Sequence, residues 1–300
     1  MQLLYMLNRD EQLTFPDLLK DYNEGIWKTY EIYIFHLYLL LKVAQYAEKD
    51  AAIRAAKLLP SDDDKAFTPR LYTNPCTQSL ANNVSFLNAV ERIKANENID
   101  DDLIRRMYLS FAESEEYQKY LAQEAPTDSD HAKMLLELYR FLTGNDLFIE
   151  MTEDRYNNWQ DDESLVVGAM KKTLKAMPVE GDFHKEYEPS DETVREFGEQ
   201  LLRKTCQEDQ ALFELIAPNL KNWEPDRVAV LDMIMLKMAL CELLHFPTIP
   251  TKVTLNELVE ISKTYSTENS KDFINGILDR LMKKLVKEEK IVKEGRGLIE

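Results

Sequence analysis

The spacing of apolar residues constrains the fold more than any other feature of this sequence. Across the segment from residue 27 to residue 41, large apolar side chains recur at three- and four-residue steps, which is typical of one face of an α-helix. The long Val/Ile/Thr alternation that is typical of strands is missing. Only 8 Gly and 11 Pro interrupt the 300 residues. We therefore predict an all-α fold.

The same periodicity, together with turn residues, predicts a series of helices joined by two longer loops. The loops are "LLPSDDDKAFTPRLYTNPCTQ" and "AMPVEGDFHKEYEPSD". We expect Pro225 to begin a helix, Thr254 to open a capping box and Ser266 to cap the last helix. The second helix is expected to break near Gly25. The predicted helices cover about 1–13, 16–58, 79–95, 100–122, 128–143, 145–160, 162–177, 191–217, 225–245, 255–265 and 268–289.

The net charge of −17 argues against non-specific nucleic-acid binding by the whole surface. Residues 251–300 contain 10 Lys/Arg and 9 Asp/Glu, so the acidic excess lies in the first 250 residues and a local basic patch is possible. The longest apolar run, "IYIFHLYLLL", is too short to span a bilayer, and the first residues lack signal-peptide features. The three cysteines are widely spaced, as expected of reduced thiols in a cytoplasmic protein.

No pattern in the sequence favours catalysis. Phosphate-binding glycine loops and the GxSxG motif are absent, and the four histidines are scattered. We therefore predict no enzyme activity, no cofactor and no metal site. His36 on an apolar helix is more often a core residue than a ligand. The aromatic residues of 27–38 are likewise more often core than a platform for stacking bases.

The stretch "SKDFINGILDRL", residues 270–281, places Asn275-Gly276 inside a helical pattern. Asn-Gly is a strong hairpin signal, and a glycine inside a helix costs roughly 0.5–1 kcal/mol relative to alanine. We expect Gly276 to offset this cost by allowing a neighbouring helix to approach closely. Asn275 is expected to bond to backbone near residue 255.

The surrounding segment "PTKVTLNELVEISKTYSTENSKDFINGILDRL" resembles the C-terminal signature of the NusB family of transcription antitermination factors. Upstream, "ALCEL" is similar to the end of the family's preceding helix, and "QLLYML" to its first helix. The resemblance implies a core of two small packed helical bundles plus an additional helical region. It predicts that residues 1–24 end the first core helix, 25–185 form an inserted helical region and 186–300 form the NusB-like core. The residues that carry the signature are Pro250, Lys252, Val253, Asn256, Glu257, Glu260, Lys263, Tyr265, Ser266, Phe273, Ile274, Asn275, Gly276, Ile277 and Leu278.

The family resemblance also implies binding of a boxA-like single-stranded RNA together with a small-subunit ribosomal protein in its NusE role. The two would act within the transcription elongation complex on ribosomal RNA operons, without a membrane. The resemblance implies that Asp232 contacts the protein partner. The alternative that Asp232 is only a solvated residue on the helix surface is equally favoured. The implied RNA-binding residues are Tyr5, Asn269, Lys271, Asp272 and Phe273.

Departures from the family pattern keep two other functions open. Family members normally begin with an arginine-rich arm, which we expect to be missing because Met1 already lies within the first helix. Asn219 stands where an RNA-contacting aromatic residue is expected. The chain is alternatively a protein–protein adaptor that keeps the fold without binding RNA. A less favoured alternative is an accessory domain of a ribosomal RNA methyltransferase, because we expect neither the Gly-rich loops nor the catalytic cysteine domain of those enzymes in this chain.

Overall fold

The computed structural model describes residues 1–10, 12–97, 99–220 and 224–298, and all regular structure in these ranges is helical. The predicted all-α class is confirmed. None of the helices in the described ranges has the length and apolar character needed to cross a bilayer. The α-helices are α1 (Gln2–Arg9), α2 (Phe15–Ala55), α3 (Asp62–Ala66), α4 (Arg70–Thr73), α5 (Pro75–Ala81), α6 (Val84–Arg92), α7 (Asp101–Ala112), α8 (Glu115–Leu121), α9 (Asp128–Thr143), α10 (Asp146–Glu153), α11 (Trp159–Lys175), α12 (Gln200–Gln207), α13 (Asp209–Ile216), α14 (Val230–His245), α15 (Thr251–Tyr265) and α16 (Ser270–Lys287).

The chain divides into two compact units. We call residues 1–24 with 190–300 the terminal unit, and residues 25–189 the middle unit. Short 3₁₀ segments occur in both units, and a π-helical segment, Glu192–Glu199, precedes α12.

The core of the terminal unit is built around α14. This helix is apolar on most of its circumference, as expected of a helix surrounded by others, and it packs against α12, α13, α15 and α16. The facing side of α16 supplies apolar residues at helical spacing. Those residues are Ile274, Ile277, Leu278, Leu281 and Leu285, each at most 1% exposed.

The core of the middle unit is built around α2, whose residues from Tyr30 to Ala47 are largely buried. Aromatic side chains dominate this core. His36 lies fully inside it, with its two ring nitrogens 3.0 Å from Tyr139 Oη and 3.2 Å from Thr152 Oγ1. The interpretation of His36 and its aromatic neighbours as core residues therefore agrees with the burial.

Several predicted helix boundaries were wrong because polar side chains end one helix and begin another inside an apolar pattern. The amide oxygen of Asn83 accepts the N–H of Phe86 and opens α6, and Ser114 does the same for Tyr117 in α8. The predicted break near Gly25 does not occur, because α2 continues through it. Glu11, within the first predicted helix, lies outside the described residues.

Three capping predictions in the terminal unit also need correction. Pro225 begins a 3₁₀ turn, Pro225–Arg227, and α14 starts at Val230. Thr254 lies inside α15, where its buried hydroxyl donates to Glu242 at 2.6 Å. Ser266 does not cap α16, whose N-cap is Asn269.

The explanation of Gly276 as a close-packing residue was wrong, because a Cβ at this position would meet no atom within 4 Å. Two other glycines of the terminal unit do have close neighbours. A Cβ on Gly198 would lie 1.9 Å from Tyr22 Oη, and one on Gly297 would lie 2.0 Å from the carbonyl oxygen of Pro247. Gly276 therefore faces open space, half-exposed on α16.

Each unit contains one fully buried thiol. Cys76 lies in the middle unit and Cys241 in the terminal unit, and burial raises the pKa of each to about 11. Cys206 is half-buried.

Candidate functional site

A cleft of about 210 Å³ opens at the N-terminus of α16. It brings together three residues selected from the sequence: Asp232 from α14, Asn269 at the N-cap of α16 and Phe273 from α16. These positions are 41 residues apart at most along the chain, and the packing of α14 against α16 makes them neighbours. The other lining residues are Arg227, Val228, Ala229, Thr267 and Ser270.

Phe273 and Asn269 offer the cleft an aromatic ring and an amide. Phe273 is half-buried and packs against the core of the terminal unit. Asn269 is exposed and makes no side-chain capping bond to α16. The first N–H groups of a helix have no intrahelical partner, so this end of α16 carries backbone donors and the positive end of the helix dipole. A ring, an amide and N–H donors suit a stacked base next to a phosphate.

Asp232 forms the inner wall of the cleft and is only 5% exposed. Its two carboxylate oxygens accept hydrogen bonds from Ser266 Oγ at 2.5 Å and Ser270 Oγ at 2.8 Å. Thr267 Oγ1 lies 2.8 Å from Ser270 Oγ and extends the network. The alternative of a solvated helix residue was therefore wrong for Asp232. Its carboxylate fixes the turn before α16, and a contact with a protein partner stays a prediction.

The remaining predicted RNA-binding residues lie outside the lining of this cleft. Lys271 is half-buried and Asp272 is exposed, both in the first turn of α16. Tyr5 lies on α1, half-buried, with the guanidinium of Arg9 5.2 Å from the centre of its ring. The structure does not test the role of any of these residues in binding RNA.

Sequence reasoning missed Arg227, which lines the cleft and brings a cation to it. Its side chain is 77% exposed and pairs with Glu224 at 2.8 Å, a pair that is weak because it is solvated. Arg227 belongs to a 3₁₀ turn just before α14, where no helical periodicity identifies a functional side chain. A cation close to the start of the helix that carries Asp232 was the available signal.

Asn219, which stands where an aromatic residue was expected, ends a 3₁₀ segment next to α16. Its amide nitrogen donates to the carbonyl of Leu215 at 2.9 Å. Its own carbonyl accepts a long hydrogen bond from Arg280 at 3.5 Å. Asn219 therefore links the end of α13 to the middle of α16.

A larger groove of about 440 Å³ lies between α1, α12, α13 and α14. It contains none of the predicted site residues, although Val228 borders both cavities. Lys237 and Asp209 form an ion pair across its wall at 2.5 Å. Among the described residues, no three His, Cys, Asp or Glu side chains are grouped so that they could hold a metal ion.

Comparison with known proteins finds relatives that are named transcription antitermination protein NusB. Residues 157–283 match the model of the NusB family. A transcription antitermination protein NusB from Salinibacter ruber is 40% identical over 109 residues, which are 36% of this chain and 68% of that protein. The NusB of Methylacidiphilum infernorum is 41% identical over 98 residues, 33% of this chain and 68% of the relative. That of Chloroherpeton thalassium is 34% identical over 111 residues, 37% of this chain and 53% of the relative.

No solved structure matches the chain. The matched region begins within the middle unit at residue 157 and ends at residue 283, near the end of α16. The identity with relatives covers only about a third of this chain but two thirds of the relatives from Salinibacter and Methylacidiphilum. The chain belongs to the NusB family.

Proposed function

We propose that this protein is a non-enzymatic transcription antitermination factor. It binds a boxA-like single-stranded RNA together with a small-subunit ribosomal protein, and the two join the transcription elongation complex on ribosomal RNA operons. The name of its relatives, transcription antitermination protein, supports the biological role. In this proposal the terminal unit carries the NusB-like binding functions, and the middle unit is an insertion.

The observation that carries the proposal is the cleft at the N-terminus of α16. Single strands are recognised by bases stacked on aromatic rings and by contacts to phosphates. The ring of Phe273 supplies the stacking surface, while Arg227 and the N–H groups at the start of α16 supply phosphate contacts. Asn269 reads the edge of a base through its amide group. Lys271 lies in the first turn of α16 and adds positive charge near the cleft.

The ribosomal protein is proposed to contact the neighbouring surface around Asp232, with Tyr5 on α1 completing the RNA path. Because Asp232 is hydrogen-bonded to Ser266 and Ser270, it holds the turn that both partners would meet. One element would thereby serve both contacts, so that the ribosomal protein and the RNA strengthen each other's binding.

The test is an RNA titration, with and without the ribosomal protein, on Phe273→Leu. This change keeps an apolar side chain against the core but removes the ring. A lost stacking contact costs about 1–3 kcal/mol, so RNA affinity should fall by roughly 5- to 150-fold. Phe213→Leu is the matched control, since Phe213 is also a half-buried phenylalanine but lies on α13, away from this cleft. Equal RNA affinities for the two variants would contradict the stacking role.

The adaptor function is the second candidate, and the net charge of −17 favours it. An acidic chain repels RNA unless cations are concentrated locally. If the wild-type chain binds the ribosomal protein but no RNA, alone or in the complex, the adaptor function takes the place of the proposed one.

A further inference from the structure

Positive charge is concentrated at one end of this acidic chain. Residues 280–296 contain seven Lys/Arg against three Asp/Glu, a net charge of +4, which leaves the rest of the chain at −21. Most of these cations are exposed. The segment begins in the second half of α16, whose N-terminus forms the candidate cleft. The cleft and the first part of the basic segment, up to Lys287, therefore lie on the same helix.

Four of the five cations of α16 follow one face of the helix, and Lys271 lies on the opposite side. Arg280, Lys283, Lys284 and Lys287 are spaced at i, i+3, i+4 and i+7, which places them within about 100° of arc. Phe273 falls within the same arc, about 21 Å before Lys287 along the axis. The buried stripe of α16, from Ile274 to Leu285, lies on a different side. We call the face from Phe273 to Lys287 the α16 track.

A purely structural role explains only part of this arrangement. Cations in the last turn of a helix are stabilised by its dipole, which accounts for Lys284 and Lys287. The dipole does not account for Arg280 and Lys283, which lie earlier. Arg280 donates a long hydrogen bond to the carbonyl of Asn219, and Lys283 pairs with Asp279. Both contacts are solvent-exposed. Like charges three and four residues apart repel and destabilise a helix. An anionic ligand bound along the α16 track would relieve this repulsion.

The ion pairs along the α16 track are of the kind that a phosphate can displace. Lys283 contacts Asp279 at 2.7 Å with its side chain 70% exposed, and Lys284 reaches Glu288 only at 4.0 Å. Exposed pairs of this kind contribute little to stability. A nucleic-acid backbone brings several phosphates at once and releases counterions, which a single carboxylate does not.

Gly276 also lies within the arc of the α16 track, between Phe273 and Arg280. A Cβ there would meet no atom of the protein within 4 Å. The glycine thus leaves the helix backbone uncovered on the exposed side. A ligand can approach the helix axis more closely at a glycine than at a residue with a side chain.

We propose that single-stranded RNA leaving the cleft at Phe273 continues along the α16 track. Its backbone crosses Gly276, and its phosphates pair with Arg280, Lys283 and Lys287. This inference rests on the proposed function and deepens it, because it assigns the direction of the strand and a second group of contacts. Charge complementarity and continuity with the cleft select RNA over an acidic protein as the occupant.

The first experiment compares two triple variants of the full chain, in complex with the ribosomal protein. One is Arg280→Gln/Lys283→Gln/Lys287→Gln. The control is Lys171→Gln/Lys172→Gln/Lys175→Gln, which removes the same charge from three exposed lysines of α11. Each is titrated with a short RNA of about six nucleotides that fills only the cleft, and with a boxA-like RNA of about twelve, over a salt series.

For the longer RNA, losing three phosphate contacts should make the slope of log K against log salt shallower by about 2. Between about 50 and 200 mM salt, the ratio of wild-type to variant affinity should then shrink by about 20-fold. The short RNA and the control variant should behave as wild type.

The outcomes separate this inference from the proposed function. If the wild type binds both RNAs equally and the α16 variant matches the control, the track is overturned and the proposed function stands. If the wild type binds neither RNA, both are overturned. If the α16 variant loses the ribosomal protein but keeps its RNA affinities, the track is a protein-binding surface and the inference is again overturned.

A second variant tests the path without changing charge. Gly276→Leu places a side chain in open space, so the thermal melt should stay at or above that of wild type. Affinity for the longer RNA should fall several-fold, while the short RNA should bind as before. Leucine at 276 with unchanged affinity for the longer RNA would overturn a path across Gly276.

Discussion

The cores of the two units differ in their buried titratable groups, although each also buries a thiol and the middle unit also buries the carboxylate of Asp50. In the middle unit, three buried histidines each hydrogen-bond to a tyrosine hydroxyl. In the terminal unit the core is mostly aliphatic, and its buried titratable groups include the carboxylates of Asp232 and Glu242, which accept bonds from serine or threonine hydroxyls. The histidine–tyrosine pairs are His36–Tyr139, His131–Tyr120 and His184–Tyr30.

The three histidines and Glu242 contribute to stability with opposite dependence on pH. Burial lowers the pKa of all three histidines, that of His36 to about 3. Below pH 6.5 these histidines therefore bind more protons in the unfolded chain than in the folded middle unit. The free energy of unfolding of the middle unit falls as the pH is lowered. Burial raises the pKa of Glu242, which Thr254 and Lys293 partly oppose. Glu242 therefore contributes a loss of stability to the terminal unit as the pH rises above its ordinary pKa of 4.5.

The largest expected effect is acid destabilisation of the middle unit. Between pH 6.5 and 5, His36 alone should cost about 2 kcal/mol, because each pH unit of differential proton binding is worth about 1.4 kcal/mol. Hydrogen exchange of peptides from each unit at pH 7 and 5 would measure the loss separately. His36→Phe should reduce by about one the number of protons that the middle unit takes up on unfolding in this pH range, so its stability should depend less steeply on pH. An equal loss of protection in both units would break the comparison.

The next effect concerns the terminal unit. In Gly297→Ala, the new Cβ would lie 2.0 Å from the carbonyl of Pro247, a backbone atom that cannot turn aside. We expect a loss of about 1–3 kcal/mol, the usual cost of overpacking. Faster exchange should appear at the turn after α14, where Glu294 donates to Pro247. Peptides of the middle unit should be unchanged, and a loss of protection there would show that the strain spreads.

A smaller effect is expected at Glu242, which is 7% exposed. Glu242→Gln removes a carboxylate that is costly to ionise and keeps an acceptor for the hydroxyl of Thr254. Stability at pH 8 should rise by about 1 kcal/mol relative to wild type, and the difference should vanish near pH 4. Thermal melts across this range measure it. A glutamine variant that is less stable at pH 8 would mean that the Lys293 attraction outweighs burial.

The smallest effect is expected at Gly276, the contrast to Gly297 within the same unit. Gly276→Ala adds a methyl group in open space and improves helix propensity. The free energy of unfolding should increase by about 0.5–1 kcal/mol. Denaturant titration with a constant m-value would detect it. Destabilisation by alanine would restore the close-packing explanation that the structure contradicts.

Periodicity predicted the helices well where apolar stripes and caps agree. The predicted bounds of α9, 128–143, are those observed, and Thr127 closes a capping box with Asp130 at its start. Inside longer patterns the sequence was less informative. Asn83 and Ser114 interrupt apolar runs as caps, and the same residue types also occur within helices, so spacing alone does not locate the break.

For the candidate site, the sequence identified residues on α14 and α16, and helix packing brings Asp232, Asn269 and Phe273 to one cleft. The interpretation of Gly276 failed because the glycine lies off the buried stripe of its own helix, a fact that helical geometry already contained. By contrast, nothing in the sequence around Gly198 predicts its close contact with Tyr22, which lies 176 positions earlier in the chain. Contacts of that range depend on how the helices pack.

The two buried thiols make the protein its own reporter of local opening. At neutral pH, Cys76 and Cys241 are both protonated and covered, so an alkylating reagent reaches them only when the surrounding helices separate. One thiol belongs to each unit. The rate at which each becomes alkylated therefore gives the opening frequency of its own unit, in one reaction, without an attached dye.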